Sequence, residues 1–197
     1  MTAGTKPAAH LQHLGIAEAG KLHALAHRHV EALRHYREAL RIATASRAPA
    51  VFARHYTQCV LESLELIGSY SEVIRVCEEV DAHYTREGHA LRLHRHDHAA
   101  HLERLGLARL KAGETAAGAQ ALQRAVALAG AGGLPLAEEV LGWVERRLTV
   151  SAARITVAQR ARRYFTVRRD QVDVGRAVPL PSAADGSACN ALRGRTN

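Results

Sequence analysis

The residues best suited to chemistry lie in RLHRHDHAAH, Arg92 to His101. On a helix, His94, Asp97, His98 and His101 would stand at i, i+3, i+4 and i+7, stacked along one stripe. Imidazoles and a carboxylate in that stripe are a donor set for Zn²⁺ or Ni²⁺. The simpler reading is a solvated polar face, with Asp97 and His101 as an i, i+4 pair contributing roughly a few tenths of a kcal/mol. His23 and His27 form a second such pair, with Glu31 one turn further on. Protonating many of the thirteen histidines near pH 6 would raise the positive charge sharply. No serine–histidine–acid or cysteine–histidine arrangement has a supporting context, and AGAGG at Ala129 to Gly133 follows a helix instead of joining a strand to one. The expectation is a protein that is not an enzyme and carries no cofactor.

The elements that must position these residues are helices. Alanine and leucine carry most of the apolar weight, aromatic residues are only 4%, and alternating β-branched runs are nearly absent. The patterning predicts helices over about 10–27, 30–43, 50–67 and 70–84, then a long one from near His89 to Gly113. Others follow to about Ala129, over 136–148 and over 151–168. Gly68 suits a left-handed helix end, and Ser69 and Ser71 suit helix starts. On the last helix Val157, Ala158, Ala161, Tyr164 and Phe165 form an apolar stripe, with Arg160, Arg162 and Arg163 off it.

The organising stretch is LERLGLARLKAGETAAGAQALQRA, Leu102 to Ala125. Leu102, Leu105 and Gly106 mark one helix face, and Gly118, Leu122 and Ala125 mark another, with Gly113 at the fold-back. Ala32, Tyr36 and Ala39 repeat the second spacing, as do Val73, Cys77 and Val80 more weakly. Small residues at Gly20, Ala32, Gly106 and Gly118 would let paired helices approach closely. This pattern resembles the tetratricopeptide repeat (TPR) family in its long-helix variety, with units longer than the usual period of about 34 residues. The resemblance implies an all-α superhelical array of antiparallel helix hairpins, a TPR-like α-solenoid of about three repeats plus a C-terminal capping helix pair.

The resemblance also implies a concave groove lined by the first helix of each hairpin. Carried over by position, it would present Ala17, Lys21 and Ala24, then His55, Gln58, Glu62 and Glu65, then Ala100, Glu103, Leu107 and Lys111. Such a lining suits a peptide or helical segment with basic and apolar side chains. It lacks the carboxylate clamp of the chaperone-binding TPR class. The function implied is a non-enzymatic interaction scaffold or adaptor.

Net charge is +8, and from Ser151 onward nine arginines face three aspartates. The alternative reading is therefore a regulatory protein that contacts nucleic acid through Arg160, Arg162, Arg163, Arg168 and Arg169, a nucleic-acid partner whose phosphates would make binding strongly salt-dependent. Cys59, Cys77 and Cys189 match neither a disulfide framework nor a CxxC pair. No apolar run is long enough to span a bilayer, and a cytoplasmic location is expected. The expected organisation is a disordered N-terminus over 1–8, helical repeats over 9–148, a basic capping helix over 149–169 and a disordered tail over 170–197.

Overall fold

The computed structural model of the chain describes residues 5–180, with side chains from His10 onward. Among them the protein is all-helical and has no strand. The helices are α1 (Thr5–Leu25), α2 (His29–Ala45), α3 (Ala50–Leu66), α4 (Tyr70–Glu87), α5 (Arg92–Lys111), α6 (Thr115–Ala129), α7 (Pro135–Glu145) and α8 (Ala152–Ala161). Short 3-10 turns follow at Arg169–Gln171 and Val174–Arg176. The chain divides into two compact units, one holding residues up to Ser63 together with those from Val167, the other Leu64–Thr166. The division falls within α3.

In the first unit α1 packs on α2. Gly20 sits at their crossing: a Cβ there would meet the Tyr36 ring at 2.7 Å and the His35 Cβ at 3.0 Å. Ala32 and Tyr36 are fully buried beneath it with Ala24 and Cys59. A second cluster joins Ile16, Ala17, Ala39, Ile42, Ala43 and Tyr56, with Phe52 and Leu180 against it. Residues 170–180, expected to be disordered tail, instead lie along α1. Val178 N–H donates to the Gly15 carbonyl at 2.9 Å, and Asp173 N–H to Glu18 Oε2 at 3.0 Å. The remainder of that expected tail, with Cys189, lies outside the described residues, as do residues 1–4.

In the second unit α5 is the hub, packed against α4, α6 and α8. It meets α6 through two facing glycines. A Cβ on Gly106 would lie 2.6 Å from Leu122 Cγ and 2.9 Å from the Gly118 carbonyl, and one on Gly118 would lie 2.7 Å from Leu110 Cγ. Such a crossing brings main chain against main chain, which only glycine permits. α5 carries little apolar asymmetry because it is covered on most sides, burying His98, His101, Glu103, Arg104 and Lys111 among its leucines.

Six helix ends close alike. Arg28, Ala48, Ser69, Glu114, Leu148 and Tyr164 each donate an N–H to the carbonyl five residues back, at 2.9 Å. This is the Schellman pattern, in which the preceding residue is left-handed. Gly68 and Gly113 fill that position as their type suggests, whereas His27, Arg47, Arg147 and Arg163 hold it with φ of 58°, 52°, 55° and 52°. Arg163 is why α8 stops at Ala161, short of the expected Arg168. Val157 and Ala161 are exposed, and Tyr164 and Phe165 leave the helix axis, so the expected five-residue stripe does not form. Ser69 stands at the start of α4 but makes no capping hydrogen bond; Ser151 does, accepting from Arg154 N–H at 3.2 Å.

Candidate binding cleft and its buried counterpart

In the first unit α1 and α3 frame a cleft of about 290 Å³, lined by Leu14, Ala17, Glu18 and Lys21 from α1 and by Val51, Phe52, His55 and Tyr56 from α3. The spacing explains the set: Leu14, Ala17, Glu18 and Lys21 are i, i+3, i+4 and i+7, and Val51, Phe52, His55 and Tyr56 are two adjacent pairs one turn apart. Lys21 Nζ donates to Glu18 Oε1 at 2.7 Å, so the polar wall is internally neutralised. Its floor is aromatic. His13 Nδ1 pairs with the Tyr56 hydroxyl at 2.7 Å, and the His13, Phe52 and Tyr56 rings pack edge to face or tilted. Burial, then the Lys21 ammonium, lowers the His55 pKa, which favours the neutral ring. Val51 remains 58% exposed at the rim.

Of the residues assigned to a groove, Ala17, Lys21 and His55 meet in this cleft. Gln58 is half-buried and outside its lining, and Ala24 belongs to the core. Glu62 is buried, and its carboxylate accepts the Val167 N–H at 3.2 and 3.3 Å.

The second unit departs from an open lining. Glu65, Glu103, Leu107 and Lys111 are all buried, Leu107 completely. Lys111 Nζ donates to Glu65 Oε1 at 2.8 Å and to Gln159 Oε1 at 2.7 Å, while Gln159 Nε2 donates to Glu65 Oε1 at 2.6 Å. The amide from α8 thus closes a triangle on Glu65 Oε1, while Glu65 Oε2 is buried without a hydrogen-bond partner. Burial lowers the Lys111 pKa, against the opposing pull of Glu65. Glu103 accepts the Ala137 N–H at 3.0 Å, in the first turn of α7. Helix α7 has Leu134 before it, which offers no capping group, and Pro135 at its start. A carboxylate from α5 therefore supplies the cap that the local sequence lacks. Burial pushes the Glu103 carboxyl up to about 7. Arg104 lies over the Tyr164 ring at 5.1 Å.

The histidine stripe is spent on other partners. His98 Nε2 donates to Asp81 Oδ1 at 2.7 Å, and its Nδ1 faces His89 Nε2 at 2.8 Å. His101 Nδ1 donates to the Asp97 carbonyl at 2.9 Å, and the Asp97 carboxylate accepts the Tyr84 hydroxyl at 2.7 Å. Among the described residues no group of three or more His, Cys, Asp or Glu side chains could hold a metal ion. His94, Asp97, His98 and His101 share a stripe, but the first three meet Tyr84 of α4, and His101 is bonded to the main chain of its own helix. Arg124 from α6 clamps Asp81 through two bonds of 2.8 and 2.7 Å. Burial raises the Asp81 pKa, but the Arg124 and His98 hydrogen bonds outweigh it and hold the carboxyl below its ordinary range. Tyr84, with His89 and His98 stacked on it at 5.6 and 5.0 Å, completes a hub that no spacing rule in the sequence picks out.

The arginines assigned to phosphate contact are divided between the two units. Arg160, Arg162 and Arg163 belong to the second unit, where Arg162 is bonded to Glu139 at 2.9 and 3.1 Å. Arg168 and Arg169 belong to the first, where Arg168 lies 3.5 Å from Asp170. Cys59 and Cys77 are fully buried, and burial pushes the Cys77 thiol up to about 12, which makes it a poor nucleophile. No helix among the described residues is long and apolar enough to cross a membrane.

No protein-family model, curated protein or solved structure matches the chain.

Proposed function

We propose that the chain is a non-enzymatic, TPR-like interaction adaptor, built from successive helix hairpins, that holds a peptide or helical segment of a partner in the α1–α3 cleft. The observation that carries this reading is the cleft itself. It lies between α1 and α3 and keeps an apolar rim open at Val51. A volume of about 290 Å³ admits one or two large side chains, not a cofactor. Neutral His55 and the Lys21–Glu18 pair would meet the partner's flanking polar groups. The apolar wall of Leu14, Val51 and Phe52 favours an aliphatic or aromatic anchor.

Peptides selected from a displayed library on the purified full chain test this, with affinity read by fluorescence anisotropy. Val51→Arg and Phe52→Ala should each weaken the selected peptides at least about tenfold, roughly 1.4 kcal/mol. Val157→Arg, on the exposed side of α8, should leave them unchanged. Peptides indifferent to Val51→Arg would overturn the reading.

A further inference from the structure

A line of polar groups crosses the floor of the α1–α3 cleft. His13 is fully buried, and both of its ring nitrogens are engaged. Nδ1 meets the Tyr56 hydroxyl of α3 at 2.7 Å, and Nε2 meets His10 Nδ1, one turn back on α1, at 3.2 Å. Each contact holds one proton. Either Tyr56 O–H donates to His13 Nδ1 and His13 Nε2–H donates to His10, or both bonds run the other way. Burial, before any other cause, pushes the Tyr56 hydroxyl above its ordinary value, so the phenol keeps its own proton.

A neutral His13 fits this line in either direction. One added proton also fits when it resides on the half-buried His10, whose Nδ1–H then donates to His13. A second does not. With both rings protonated, His13 Nε2–H and His10 Nδ1–H would meet head on, and neither could accept. His10 can swing to solvent, but that strands a charged His13 and its N–H beside the Phe52 ring, whose centroid lies 5.1 Å away. A buried charge with an orphaned donor is heavily penalised.

No neighbour offsets that charge. Among the described residues Glu18 is the one carboxylate of the cleft lining, and both its oxygens are taken, Oε1 by Lys21 Nζ and Oε2 by the Asp173 N–H. Lys21 is a cation, and His55 on α3 is itself held toward neutrality by burial, then by Lys21. The adjoining core cluster takes Ala39, Ile42 and Ala43 from α2 and Leu180 from the C-terminal segment, none of which titrates. Burial, then His10, lowers the His13 pKa, the direction these surroundings require.

We propose that the His10–His13–Tyr56 line is a proton-sensitive latch, which holds α1 to α3 while His13 is neutral and loosens the cleft floor, weakening partner binding, on acidification. The regulatory role rests on the reading of the cleft as a partner site; the latch itself does not. A ring held neutral in the fold contributes stability that is complete above its ordinary value of about 6.5 and is lost as pH falls below it. The open form takes up one proton more than the closed form. Its population should therefore rise about tenfold between about pH 7.5 and pH 5.5.

Amide hydrogen exchange of the full chain at those two pH values tests this, corrected for the intrinsic pH dependence of exchange, with the histidine-free α6 as internal reference. Amides of residues 13–17 and 55–59 should exchange about tenfold faster at the lower pH. His13→Asn keeps a polar group near the Nδ1 position, takes no proton, and should abolish the rise. His10→Gln should reduce it, because an amide oxygen accepts from His13 Nε2–H at either pH, and it decides the matter if His13→Asn fails to fold. His55→Gln should leave the rise in place. No rise in wild type, a rise that survives both His10→Gln and His13→Asn, or one that vanishes with His55→Gln would overturn the latch. Histidine-free peptides among those selected on the full chain are the second probe. Read by anisotropy, they should bind wild type at least about threefold more weakly at the lower pH, and His13→Asn equally at both. Faster exchange with unchanged peptide affinity would overturn the link to binding. Faster exchange with no peptide selected supports the latch and counts against the cleft reading instead.

Discussion

Ala17 and Lys21 on α1 line an open cleft, whereas Glu103, Leu107 and Lys111, given the same role on α5, are enclosed. The charged groups are handled differently in the two places. Lys21 is bonded within its own helix to Glu18 three residues away, a pair that needs no other element. Lys111 is bonded to Glu65 and Gln159, residues brought from α3 and α8. A helix whose charges pair locally can leave its face free, while one whose charges pair across elements is committed to them. The difference separates residues that line an open cleft from residues spent on folding.

That contrast can be broken most forcibly at Lys111. Lys111→Met leaves Glu65 buried without its cation and should cost about 3–5 kcal/mol in chemical denaturation. Glu65→Leu with Lys111→Met should recover most of that loss. Recovery by the double variant shows that the penalty belongs to the stranded charge and not to lost packing.

Glu103 gives the next effect. Its carboxyl is raised to about 7 from an ordinary 4.5, so the fold favours the neutral form. The stability this confers is complete below the ordinary value and is lost as pH rises through 7, a loss of about 3 kcal/mol. Glu103→Gln keeps an acceptor for the Ala137 N–H and cannot ionise. Urea titrations of this variant should therefore show a flatter dependence between about pH 5 and pH 8 than wild type.

Glycine substitutions sharpen the comparison further. Gly118→Leu overfills the α5–α6 crossing and should cost about 1–3 kcal/mol or more in thermal melts. Gly142→Ala, whose added Cβ would meet nothing nearer than the Arg146 guanidinium at 3.5 Å, should instead gain about 0.5–1 kcal/mol. The smallest effect is at the end of α2. Arg47→Gly relieves a left-handed residue and should raise stability by up to about 1 kcal/mol.

The crossings were legible in the sequence because glycine at a helix pair has one physical use. Gly20, Gly106 and Gly118 all stand where a Cβ would strike a neighbour. The enclosure of α5 was not legible. Glu103 and Lys111 read as surface residues by type, and the groups that pair with them lie far along the chain, at Ala137, Glu65 and Gln159. Spacing likewise placed His94, Asp97, His98 and His101 on one stripe, but it carries no information about the Asp81 and Tyr84 side chains that claim His98 and Asp97. The end of α8 was hidden for a different reason: Arg163 takes a left-handed conformation that arginine gives no sign of adopting. The path of residues 170–180 along α1 was missed because their Pro/Gly/Ser-rich continuation reads as tail, whereas the position that admits Val178 is a single glycine, Gly15, on α1.

Native-state acylation of lysine, read by mass spectrometry, compares the two faces directly. The Lys21 side chain is 11% exposed and that of Lys111 is 1%. Lys21 should be modified in the folded protein, and Lys111 only once denaturant unfolds it. Modification of Lys111 at a rate comparable to Lys21 under native conditions would contradict the account.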